Sequence, residues 1–468
     1  MLNTLRLPRP LRQQLERAGD WLTPYAEVPE LSDEVYLSRA QQLERAREAA
    51  GLEALIIYAD REHSANLLWL CGFAPRFEEA LWVAVAGQVP VLLLGNENLG
   101  YAPGVLRLPA RLERYAPFSL PDQDRRGGRS LTELLRGAGL EPGLKVGTVG
   151  WKPASSLEQS TEEDAGDGAL ELPHFIVQAI ISVSGALPRN ASNLLMHPQH
   201  GLRCTLEPEM VLCAEYAARL SSQAVLNVIM HLRPGQSERE AAGRLSSHGL
   251  ELSAHPMVNF APHIPSGLGS ARNRPLTHLD YAQIGFGVQG GLTCRAGRVA
   301  YAGDADADGY AALLEGYLSA LRAWCAALRI GVSGGEVVRV VEATVGDSWQ
   351  LALNPGHLLH LEEWLGSPFT QGSPLRLRSG MALQQDLIPV PREGRACLNV
   401  EDGLLLANNA LIGRLEELDP ALLNRVNRRR KQMLELGYTL HPEVLPLSDL
   451  AGVCMPYLLE PDVLARLD

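Results

Sequence analysis

Apolar positions along this chain fall into two kinds of run. Helical spacing, with apolar residues returning every third or fourth position, covers 34–50 and stops at Gly51; LEALIIYA follows at once as a short apolar run of strand type. ALWVAVAG, VPVLLLGN and LKVGTVG are further strand-like runs bounded by Gly, Pro or Asn, with the helical pattern SLTELLRGAG between the last two. Alternation of this kind predicts an α/β domain over residues 1–173. The polar stretch QSTEEDAGDG (159–168) predicts a surface loop, and 174–204, with ALPRNASNLL inside it, predicts a connecting segment.

A second domain is expected over 205–435. A long helical pattern runs from Glu207 to Leu232 and ends at Pro234-Gly235, and Ser237 with Glu240 forms a capping box for a helix over SEREAAGRLSSHG. Gly-punctuated strand-like runs, a helix around Gly309–Ile330 and more strand-like runs to about residue 412 complete it. The stretch 436–468, with VLPLSDLAGVCMPYLLEP, is too apolar to hang free and is expected to pack on a domain or a partner chain.

Composition narrows the setting. With 468 residues, 46% hydrophobic and 21% charged, the chain can bury two cores. No window approaches 18 uncharged apolar residues and the N-terminus lacks the pattern of a signal peptide, so a cytoplasmic protein without membrane contact is expected. A net charge of −12 opposes binding to nucleic acid, and the cluster Arg425, Arg428, Arg429 and Arg430 is expected to be a solvated helix face. Seven scattered cysteines, none at a two-residue spacing, predict buried reduced thiols rather than a disulfide frame or zinc knuckle. Asp304, Asp306 and Asp308 in GDADADG lack the rest of a calcium loop and predict a solvated loop.

In order along the chain stand GLEALIIYADREHSANLLWLCGF, RPGQSEREAAGRL, NPGHLLHLEEW, SGMALQQDLIPV and LNVEDGLLL. Together they are similar to the pita-bread metallopeptidases of the aminopeptidase P, prolidase and creatinase group. The resemblance implies a creatinase-like α/β N-terminal domain, an α+β pita-bread C-terminal domain, and a homodimer. It also implies two divalent metals held by two Asp on a hairpin, one His and two later acids, a donor set that acidifies a bridging water.

Residue by residue, His357 matches the metal histidine and Glu401 the last bridging acid, while Asp386 stands where the family has Glu. The hairpin GFGVQGGLTCRAGR places Ile284 or Gly285 at the first Asp and Arg295 at the second, and no acid occurs between Asp280 and Asp304. Arg298 matches the Arg that follows the second Asp, Trp364 replaces a substrate-binding His, Asn399 replaces an Arg, and His360 adds a histidine beside the site. The proton-shuttling His falls near Ala271 or Arg272, with His263 and His278 out of register. Arg76, Glu78 and Glu79 beside Phe77 fall in a region that in relatives faces a neighbouring subunit's cleft.

These departures predict that the dinuclear site is lost and that Arg295 pairs with Asp386 or Glu401 in place of the metal charge. No cofactor is then expected, and the cleft takes a peptide or small-molecule ligand without metal-dependent peptidase activity. Two other classes stay open. One is a hydrolase, either of Xaa-Pro peptides with a single Mn, Co or Zn on His357, Asp386 and Glu401 or a metal-independent amidinohydrolase; the other is a protein-interaction module.

Overall fold

The structure, a computed structural model, describes residues 2–23, 26–153, 169–264, 267–304 and 309–467. The loop predicted at 159–168, and Asp306 and Asp308, lie outside the described residues. The chain forms two compact units, Leu31–Cys204 and Met1–Glu30 with Thr205–Asp468. No helix among the described residues is long and apolar enough to cross a membrane.

This division corrects two expected boundaries. The first thirty residues cluster with the later unit because their strand β1 (Leu2–Arg6) pairs antiparallel with the far end of the chain, Leu2 opposite Leu467, a partner that local patterning cannot reveal. The expected connector 174–204 instead carries the helix His174–Ser184, whose Ile176, Ile180 and Val183 enter the core of the smaller unit.

In the smaller unit β2 (Ala54–Ala59), β3 (Ala80–Val85), β4 (Val91–Leu94), β5 (Arg111–Arg114), β6 (Val146–Val149) and β7 (Arg189–Asn190) form one sheet in the order β5-β4-β3-β2-β6-β7. β2 is buried along its whole length, as an interior strand covered on both faces requires. The helix Leu131–Gly137 packs on this core, fixed at its start by a capping box in which Ser130 accepts from the Glu133 amide. Glu78 is buried and accepts the amides of Glu97 and Asn98 at 3.2 and 2.9 Å, capping a helix start; with Phe77 and Glu79 it also lines a cavity of the smaller unit.

In the larger unit β8 (Met257–Ala261), β9 (Tyr281–Val288) and β10 (Gly291–Arg298) precede the short pair β11 (Trp349–Leu351) and β14 (Pro389–Pro391). With β12 (His357–Leu358), β13 (Ala382–Gln385), β15 (Asn399–Leu406) and β16 (Val444–Pro446), the first three build an antiparallel sheet in the order β12-β13-β15-β10-β9-β8, with β16 also on β15. The last strand, β17 (Val463–Leu467), takes β1 as its partner. The helix Pro208–Ile229 lies against β10 so closely that a Cβ on Gly291 would come within 2.4 Å of the Ala217 and Ala218 backbone. Only glycine permits that approach. The helix expected over SEREAAGRLSSHG is shorter, Glu238–Ala242, because Gly243 and the Ser-rich run after it do not sustain helical bonding.

The arginine cluster is not a solvated face. On the helix Pro420–Glu435, Arg429 is buried and pairs with Glu215 and Asp449, each at 2.7 Å; Arg425 reaches Glu215 at 2.8 Å and Arg428 reaches Asp20. These charges join the first residues, the Pro208–Ile229 helix, the Pro420–Glu435 helix and the C-terminal segment of the larger unit. Breaking a buried pair strands a charge, so Arg429→Met is expected to cost about 3–5 kcal/mol. Urea unfolding should show a clearly lower midpoint for it, and no change for Lys431→Met, whose side chain is 78% exposed.

Candidate metal centre

Antiparallel register decides which side chains meet, because directly opposed residues share a face and alternate residues along a strand return to it. His357 lies opposite Gln384, Gln384 opposite Gly403, Glu401 opposite Cys294, Cys294 opposite Gly285, and Gly285 opposite Met257. One face of the sheet therefore presents His357, Gln384, Glu401 and Cys294 in a row. Asp386, two residues beyond Gln384, joins it. Donor atoms of His357, Asp386 and Glu401 all lie within 4.8 Å of one another, and all three residues are buried.

Burial strains the charge states of this group. It holds the His357 imidazole neutral, down at about 4, opposed by the bond to the Leu358 carbonyl. It pushes the Asp386 carboxyl well up, with the charge of Glu401 adding to the effect. Glu401 is also raised by burial, and is partly relieved by hydrogen bonds from Cys294, Gln384 and Asn399. Gln384 Nε2 donates to Oε1 at 3.2 Å and Asn399 Nδ2 to Oε2 at 3.4 Å. His357 Nε2 and Asp386 Oδ1 have no hydrogen-bond partner among the described residues. No Lys or Arg ion-pairs with Asp386 or Glu401 among those residues either. Two buried acids and an imidazole nitrogen without a proton partner are a donor set suited to one divalent cation.

Arg295 does not supply that charge, which corrects the sequence expectation. It sits opposite Ile284 and Val400 on the other face of the sheet, because a single step along a strand reverses the side chain. Its Nη2 donates to Asp402 Oδ2 at 2.6 Å and to the Leu450 carbonyl, its Nε to the Val453 carbonyl at 3.0 Å, and its Nη1 to the carbonyls of Cys294 and Glu401 at 2.7 and 3.1 Å. Only the backbone of Glu401 is reached.

The remaining expected residues divide. Trp364 stacks on His357 with ring centroids 4.3 Å apart and stays 39% exposed, forming an apolar flank. His360 is buried and its Nδ1 accepts the Leu361 amide at 2.9 Å; it is not one of the three convergent donors. Arg298 is buried at the end of β10, where its backbone amide donates to Tyr310 Oη, and it too stands apart from them. The residues that sequence reading missed are Cys294, read there as an ordinary buried thiol, and Gln384. Gln384 could have been found by counting two back from Asp386 along the strand, whereas Cys294 needed the register of β10 on β15. Glu363, half-buried and raised by burial, adds negative charge felt by both acids.

The model of metallopeptidase family M24 matches residues 212–386, a segment that includes His357 and Asp386 and stops before Glu401. Among solved structures, the chain is similar to dipeptidase PepE from Mycobacterium ulcerans, with a TM-score of 0.63 and 20% identity over 81% of this chain and 95% of that one. A prolidase from Pyrococcus horikoshii OT3 follows at 0.61 and 14%, over 79% and 95%, and an Xaa-Pro dipeptidase from Bacillus anthracis at 0.59 and 16%, over 80% and 96%. No curated protein matches the sequence. The chain thus has the fold of the pita-bread metallopeptidases, an α/β domain followed by the α+β pita-bread domain, and its matched segment is of the M24 type.

Because Arg295 clamps the back of the sheet, Arg295→Ala is expected to cost about 3–5 kcal/mol. A double-mutant cycle on thermal stability should give a coupling of about 0.5–3 kcal/mol between Arg295 and Asp402. A larger coupling to Asp386 would contradict the arrangement.

Proposed function

We propose that this protein is a single-metal hydrolase of the pita-bread class, acting on short peptides of the Xaa-Pro type, with one divalent ion on His357, Asp386 and Glu401. The observation that carries this reading is the convergence of three buried donors within 4.8 Å, with His357 Nε2 and Asp386 Oδ1 unpartnered. Without a metal these acids would have to be held protonated, and Arg295, the cation expected from the sequence to neutralise them, is committed to Asp402. A second ion is disfavoured by the lack of any acid on the β9–β10 hairpin. The substrate class is taken from the prolidase and Xaa-Pro dipeptidase whose fold is shared.

A divalent ion held here would polarise a scissile carbonyl and lower the pKa of a bound water. The protein's own contributions are local. Gln384 and Asn399 hold both oxygens of Glu401 in place, Trp364 stacks on one face of the His357 ring, and the charge of Glu363 acts on both acids.

Metal-stripped protein incubated with excess manganese, cobalt or zinc and then desalted should retain one equivalent and cleave Xaa-Pro dipeptides. His357→Ala should retain none. Gln384→Ala should weaken metal binding by about 10–100-fold, the usual cost of losing a group that orients a ligand. Two retained equivalents would indicate a dinuclear enzyme, and none would return the cleft to metal-free ligand binding.

A further inference from the structure

Resting on that single-metal reading, we propose that Cys294 is the fourth protein ligand of the ion and makes the site select zinc over manganese. Cys294 lies directly opposite Glu401 in the sheet, on the donor face, and is buried. The Cys294 and Glu401 side chains face each other across the β10–β15 pair. The position beside it is Gly285, where a Cβ would stand 2.9 Å from the Cys294 sulfur; any side chain there would displace the thiol. The hairpin that lacks acids therefore offers a sulfur in their stead, with room made for it by glycine.

The second observation pointing to a ligand is independent of the cysteine. His357 Nε2 and Asp386 Oδ1 are buried, unpartnered, and belong to the group that Glu401 completes. Cys294 stands one contact further out, on Glu401, and closing on a shared ion draws it in. On coordination the thiol's proton leaves to solvent and the sulfur–metal bond replaces the S–H bond. One thiolate, one imidazole and two carboxylates match the donor types and coordination number that zinc accepts, whereas manganese prefers oxygen. Two acids and a thiolate also make the set more negative than two acids alone, which offsets the loss of the hairpin carboxylates.

X-ray absorption of zinc-loaded protein should show one sulfur scatterer at about 2.3 Å beside nitrogen and oxygen. Cobalt-loaded protein should show a thiolate-to-cobalt charge-transfer band in the near ultraviolet. Cys294→Ser should abolish that band, keep one equivalent of cobalt, and lower the preference for zinc over manganese by at least about 10-fold. One bound ion with only nitrogen and oxygen neighbours in the unaltered protein would overturn this inference while leaving the single-metal reading intact. If no ion binds at all, both fall.

Discussion

The buried pair of Arg295 and Asp402 is the constraint on which the site depends. A guanidinium has five N–H donors in a fixed fork, and here its three nitrogens bond to one carboxylate and four backbone carbonyls. Asp402 accepts from Ser448 Oγ at 2.7 Å on its other oxygen, so the C-terminal segment around Leu450 and Val453 is tied to the middle of β10 and β15. Those two strands, one residue out of phase, carry Cys294 and Glu401 on the opposite face. Locking the back of the sheet sets the spacing of the front.

The two faces make a contrast in polar satisfaction. Behind, a charge pair is buried and its donors are all used, the condition under which burying charge is tolerable. In front, acids are buried beside a neutral histidine with no basic partner among the described residues, and burial raises both, with neighbouring carboxylate charge adding to it. Amide donors from Gln384 and Asn399 relieve Glu401 in part, and nothing comparable reaches Asp386 Oδ1. Unpartnered buried oxygens also occur at Thr293, Gln384, Gln385 and Asn399 of the same sheet, but among the described residues only this group brings two acids and an imidazole together, which is where the proposed cation would sit.

The same logic explains how the larger unit is closed. Its first strand and its last are paired, and the ionic cluster of Asp20, Glu215, Arg425, Arg428, Arg429 and Asp449 gathers segments from both ends of the chain. Cross-chain pairs of this sort stabilise a unit whose contacts are far apart in sequence, and they leave no trace in local periodicity.

Much was legible in the order of residues. Strands such as Ala54–Ala59 and Ala80–Val85, and helices such as Asp33–Ala49 and Pro208–Ile229, follow from apolar spacing and end at Gly, Pro or a cap, because local propensity and burial agree there. The fold class followed from motif order, and so did the choice of His357, Asp386 and Glu401, which the structure brings together. Strand phase did not. A strand reverses its faces at every residue, so the faces on which Cys294 and Arg295 stand turned on a single step of register, which only the pairing of β10 with β15 decides. The membership of the first thirty residues and the burial of Arg429 were likewise set by partners hundreds of positions away. Local sequence determines what each segment tends to form; which side of it meets the donors, and which charge finds its counter-charge, is decided by tertiary packing alone.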